Sequence, residues 1–134
     1  MTIAELNDAF RRSFTGGQVV VTTGINSLPS DMQAAITACV RSFEDFHADN
    51  DPYGEHDFGS FVDGGEKIYW KIDYYDRDVN YGSPDPTDPK ATTRVLTIML
   101  AEDGDRWRQA GRESRPAFCA LRCTLPRVFV TVSA

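Results

Sequence analysis

The sequence has little of what would staple, anchor or power a protein. Its 134 residues hold three cysteines, Cys39, Cys119 and Cys123, an odd count with no second pair. That count leaves no disulfide framework and too few ligands in paired spacing for structural zinc, so Cys39 is expected in the core and the other two as reduced thiols. Apolar runs such as Val95 to Ala101 fall far short of the roughly 20 residues that cross a bilayer. The N-terminus opens on an amphipathic pattern rather than a signal peptide, and a cytoplasmic chain with no membrane contact is expected. Neither G-x-x-x-x-G-K-[ST] nor G-x-G-x-x-G occurs, and no Ser, His and Asp fall in a nucleophile-elbow context. The expectation is therefore no enzyme, no cofactor and no bound metal.

Basic residues are scarce where acids are dense. Residues 44–88 carry thirteen acids and three bases, whereas 1–43 have three of each and 102–134 have four acids and six bases. Such a middle segment repels nucleic-acid phosphates and attracts basic protein surfaces, which excludes direct nucleic-acid binding and favours a protein partner. The plain alternative is a solvated face that keeps the chain soluble.

The apolar periodicity predicts the elements. Thr2 and Glu5 make a capping box ahead of Ile3, Leu6, Phe10 and Phe14 at helical spacing, ending at Gly16-Gly17. Gln18 to Thr23 is a β-branched strand closed by Gly24. Ser30 and Gln33 make a second capping box, and Met32, Ile36, Cys39, Val40, Phe43 and Phe46 carry one helix face from about Pro29 to about Ala48. Asp63-Gly64-Gly65 joins Phe58–Val62 to Lys67–Tyr75 as a hairpin, and Arg94–Ala101 is a further strand. Residues 77–92, with Pro84, Pro86 and Pro89, read as loop. The expected fold is α+β: an antiparallel sheet of about four strands packed against two helices. The texture changes at Glu102, so residues 1–101 are expected to form one domain and 102–134 a divergent extension, in which Arg127 to Val132 could pair as an edge strand.

Three blocks, Asn50-Asp51-Pro52-Tyr53-Gly54-Glu55-His56-Asp57-Phe58-Gly59, Trp70-Lys71-Ile72-Asp73-Tyr74-Tyr75-Asp76 and Arg94 to Ala101, carry a resemblance. Together they resemble an uncharacterised bacterial domain-of-unknown-function family with an N-D-P-x-x-E-H-D-F-G and W-K-I-D-Y-Y-D signature. The resemblance covers about residues 5–101. It implies a small protein of the kind often carried on mobile DNA, which adds weight to a counter-defence role, and it implies no catalytic residues.

Two constellations remain. Asp49, Asp51, Glu55, His56 and Asp57, with His47 upstream, could hold a metal or act as acid and base, but Ser60 stands where a calcium loop needs its closing Glu. His47 falls on the apolar stripe and reads as a core histidine; His56 or Asp57 reads as a tie between loop and strand. On the strand, Ile68, Trp70, Ile72 and Tyr74 point towards the helices, and Tyr69, Lys71, Asp73 and Tyr75 point outward. Tyr69, Asp73, Tyr75, Asp76, Asp78, Asp85 and Asp88 are the expected partner-binding residues, set against a basic nucleic-acid-binding protein such as a restriction enzyme or CRISPR effector. The inhibitor would be of the anti-CRISPR or anti-restriction type, acting by nucleic-acid mimicry. The other readings are a small metal-assisted enzyme using Glu55, His56 and Asp57, and a structural or regulatory module.

Overall fold

Residues 2–102 and 127–129 are described by the computed structural model. Of the expected extension, most of 102–134, including Cys119, Cys123 and residues 130–132, lies outside them. The described elements are α1 (Ile3–Ser13), β1 (Gly17–Thr22), α2 (Thr23–Asn26), α3 (Ser30–Ser42), β2 (Phe58–Asp63), β3 (Glu66–Tyr75), β4 (Thr93–Leu100) and β5 (Arg127–Phe129). The strands form one sheet in the order β2-β3-β4-β1-β5. An α+β architecture is confirmed, with the four expected strands present. The sheet is mixed rather than purely antiparallel: β1 runs parallel to β4, while every other neighbouring pair is antiparallel.

Local chemistry explains most boundaries. The Thr2–Glu5 capping box forms in both directions, satisfying two donors at the start of α1. Phe14 then closes the helix in the left-handed conformation, its N–H donating to the Phe10 carbonyl at 2.7 Å. The expected Ser30 capping box does not form. Pro29 caps α3 without a side-chain bond, and Gln33 reaches back instead to the Leu28 and Asn26 carbonyls. α3 also ends at Ser42, well short of Ala48, because Phe43 turns extended (φ −63°, ψ 131°). That turn swings Phe43 and Phe46 edge-on to the Trp70 indole at 5.5 and 6.1 Å between ring centroids, packing a straight helix would forgo. The β2–β3 hairpin turns on Gly64-Gly65, both at positive φ, as a two-residue turn matched to strand twist requires.

One core fills the face under the helices: Phe10, Phe14, Ile25, Ile36 and Val40 meet Ile68, Trp70, Ile72, Leu96 and Ile98. Gly59 of β2 lies so close to this layer that an added Cβ would sit 2.5 Å from Trp70 Nε1 and 2.7 Å from the Phe43 ring. Only a residue without a side chain fits there, which gives the glycine of the E-H-D-F-G motif a packing reason. Cys39 is half-buried rather than fully in the core, and His47 is exposed beyond the helix end rather than on the apolar stripe.

The other sheet face departs from expectation. Tyr69, Lys71 and Tyr75 do not point to solvent; they are 7%, 3% and 4% exposed. Val20, Tyr75 and Val95 form a second buried cluster with Val79 packed against it. Strict alternation signals one wet face, but β4 reads Thr-Arg-Val-Leu-Thr-Ile-Met-Leu, apolar on both faces in its second half, which is the pattern of a strand covered on both sides.

Candidate functional site

The E-H-D motif lands where β2 begins, and α1 closes over it. Asp51 sets the local path: its Oδ1 accepts the backbone N–H groups of Glu55 and His56 at 2.9 and 3.1 Å. His56 is thereby held at φ +54°, a conformation that a non-glycine residue adopts only when its surroundings enforce it. The His56 ring stacks flat on Phe46 at 4.0 Å. Its Nδ1 lies 3.0–3.1 Å from both carboxylate oxygens of Asp8 on α1. A carboxylate only accepts, so the proton is assigned to Nδ1. Nε2 faces Asp51 Oδ2 at 3.7 Å, beyond hydrogen-bond reach.

Asp8 also accepts from Arg11 at 3.0 Å. The Arg11 guanidinium is fully buried, donates to the Val40 and Arg41 carbonyls at the end of α3, and lies over the Phe46 and Trp70 rings at 5.5 and 5.3 Å. Burial pulls its pKa down, with Asp8 acting in the opposite direction. One arginine thus ties α1 to the carboxyl end of α3, where the unpaired carbonyls of that helix need donors.

A second group sits beside the first. Asn7 donates from Nδ2 to the Glu55 carbonyl at 2.9 Å and to the Tyr74 hydroxyl at 2.8 Å, and its Oδ1 accepts from Arg94 Nε at 2.8 Å. Tyr74 donates onward to Glu55 Oε2 at 3.2 Å, and Arg94 lies over the Tyr74 ring at 5.3 Å. Burial, with the Glu55 and Asp57 carboxylates nearby, pushes the Tyr74 hydroxyl well above its ordinary range. Burial likewise lowers the Arg94 guanidinium. Glu55, His56, Tyr74 and Arg94 come from all three signature blocks, and Asn7, Asp8 and Arg11 of α1 join them.

Chemically, the arrangement is a brace. Asp8–His56 has the carboxylate–imidazole half of a general-base pair, but the described residues supply no hydroxyl or thiol to Nε2. Glu55 turns to Tyr74 and His56 to Asp8, so the two do not aim at one point. Among the described residues no group of three or more His, Cys, Asp or Glu side chains converges as a metal site. His56 does tie the loop down, but to α1 rather than to a strand end.

The expected partner-binding residues fall into two sets. Tyr69 and Tyr75 lie inside, and Asp73 is ion-paired with Lys71, so these three do not form an open aromatic and acidic row. The others lie on the 76–92 loop. Asp78 and Asp85 are exposed, and Asp76 and Asp88 half-exposed. Three of these carboxylates also shape the loop: Asp76 accepts the Asn80 N–H, Asp85 the Thr87 N–H and hydroxyl, and Asp88 the Lys90 N–H. The Thr87 bonds hold the Asp85 carboxyl below its ordinary value. Tyr81, 76% exposed, stands among them. Sequence reading missed Tyr81 because nothing local separates an exposed tyrosine from a packed one; its neighbours Asn80 and Gly82, both turn formers, were the available sign.

A family model described as Protein of unknown function (DUF3768) matches residues 21–103, more than half of the chain. No curated protein and no solved structure matches it. The match spans Glu55, His56, Tyr74 and Arg94, while their α1 partners lie before it. No helix among the described residues is long and apolar enough to cross a membrane.

Proposed function

This chain belongs to the DUF3768 family of proteins of unknown function, and we propose that it is an acidic module that binds a basic protein. The carrying observation is the 76–92 loop, which presents Asp78 and Asp85 around the exposed Tyr81 while its own turn bonds hold the backbone in place. A rigid acidic loop meets lysine and arginine rows without the entropy loss of ordering itself, and a tyrosine adds contact area with a polar tip. The finer reading is that the partner handles nucleic acid, as a bacterial defence nuclease or CRISPR effector does, and that the carboxylates occupy its phosphate-binding groove. The resemblance to proteins carried on mobile DNA supports that choice of partner.

The test is capture from cells bearing restriction or CRISPR systems, at low and high salt, with Asp76, Asp78, Asp85 and Asp88 changed to Asn. Asparagine keeps the turn-forming acceptor and removes only the charge. Recovery of a basic nucleic-acid-handling protein should fall with salt, with the Asn changes and with Tyr81→Ala, since screening shortens the field to about 8 Å at physiological ionic strength. Recovery indifferent to all three defeats the proposal.

A further inference from the structure

The 76–92 loop is longer than a connection between two neighbouring strands requires, and loops of that length are either functional or disordered. This one is attached in both halves. The first half hangs on backbone: Gly82 bridges to Tyr75, and the Ser83 N–H donates to the Tyr74 carbonyl at 3.1 Å. The second half, residues 84–91, has internal bonds from Thr87 to Asp85 and from Lys90 to Asp88, which shape each turn but tie it to nothing outside itself. Among the described residues, two side chains at the start of β4 make that tie.

Thr92 is buried, and its hydroxyl donates to the Asp85 carbonyl at 2.6 Å. With its one proton so placed, Thr92 Oγ1 accepts from the Ser83 hydroxyl at 2.6 Å. Ser83 Oγ in turn accepts the Asp85 N–H at 3.2 Å, which closes a ring. Arg94, two residues on and also buried, donates from Nη2 to the next carbonyl, that of Pro86. Its Nε is fixed on Asn7 Oδ1 and its plane lies over the Tyr74 ring. The guanidinium is a rigid fork, so the place of Pro86 follows from the places of Asn7 and Tyr74. Two consecutive loop carbonyls are thus drawn onto the signature site, while Asp85 itself stays exposed.

We propose that Thr92 and Arg94 are positioning residues for the acidic loop, holding residues 84–91 in the conformation that meets a basic protein. The signature site is then the foundation of the binding loop rather than a separate brace. What the loop binds rests on the acidic-module reading; how it is held does not.

Two measurements on the full chain decide it, amide relaxation and titration with decalysine as the basic probe. Arg94→Lys keeps the charge and replaces the fork by one ammonium; Thr92→Val keeps the shape and removes the hydroxyl; Thr92→Ser keeps the hydroxyl. Order parameters at Asp85, Thr87, Asp88 and Lys90 should be near about 0.85 in the unaltered chain and in Thr92→Ser, and fall below about 0.6 in the other two. Asn80 and Gly82, in the half held by backbone, should not change. All four chains carry the same formal charge, so decalysine should bind the two loosened variants at least about fivefold more weakly only because the loop must be ordered first. Unchanged order in Arg94→Lys or Thr92→Val with native circular dichroism overturns the proposal, and so does a loosened loop that binds decalysine as tightly as before. If Arg94→Lys does not fold, the Thr92 pair decides. Decalysine that leaves the loop amides of the unaltered chain unmoved refutes the acidic-module reading and takes the binding role of both residues with it, whereas unchanged order refutes the proposal and leaves that reading standing.

Discussion

Asn7→Ala is the sharpest probe of the brace, because one amide serves three partners. The substitution removes the donors to the Glu55 carbonyl and the Tyr74 hydroxyl and the acceptor for Arg94 Nε. Asn7 and Arg94 are both buried, so water does not readily replace what is lost. A neutral hydrogen bond contributes about 0.5–1.5 kcal/mol net and one to a charged group about 1.5–3, which puts the loss at roughly 3–5 kcal/mol. For a domain of this size that corresponds to a fall in Tm on the order of 10–20 °C. Asn7→Asp separates the contributions. It keeps the acceptor for Arg94 but loses the donor to the Glu55 carbonyl, and the single Tyr74 proton can then serve the new carboxylate or Glu55 Oε2 but not both, so it should cost less than Asn7→Ala. Urea unfolding followed by circular dichroism measures both, with an unchanged m-value confirming that the folded and unfolded states are otherwise the same. A loss below about 1 kcal/mol for Asn7→Ala, or equal losses for the two variants, would refute the network as an energetic unit.

Other contacts give three more tests. Gly59→Ala drives a methyl into Trp70 and Phe43 and should cost about 1–3 kcal/mol, read from urea midpoints; a neutral result would mean the core gives way there. The Tyr74 hydroxyl is raised in the folded state, so its contribution is fully present below the unfolded value near 10 and is lost as pH climbs above it. Stability should therefore decline above about pH 10 more steeply in the unaltered chain than in Tyr74→Phe, and parallel declines would contradict the assignment. Glu44→Gln removes an exposed 3.7 Å pair with Arg12 and the smallest of the charge effects on Arg11, and should change stability by less than about 0.5 kcal/mol, a control for the buried ion pairs.

Elements whose causes are local were legible in the residues alone. The Thr2–Glu5 capping box, the β-branched run of β1, the Gly64-Gly65 turn and the proline-rich loop all act within a few residues, and each stands where periodicity put it. The extent of α3 was not local. Its apolar stripe continues to Phe46, but the Trp70 indole competes for Phe43 and Phe46 and stops the helix at Ser42. The direction of β1 beside β4 depends on how intervening chain packs, which a strand pattern does not encode. The same holds for the second face: Tyr69, Lys71 and Tyr75 alternate as an outward row should, yet all three are buried, which alternation along one strand does not encode. Most plainly, Glu55, His56 and Asp57 read as a cluster because they are adjacent. Packing settled their use by bringing Asp8 to His56 and Asn7 to Glu55 across 48 residues of chain. A side chain's chemistry is written at its own position, but its partner is chosen by the packing of elements far apart in sequence.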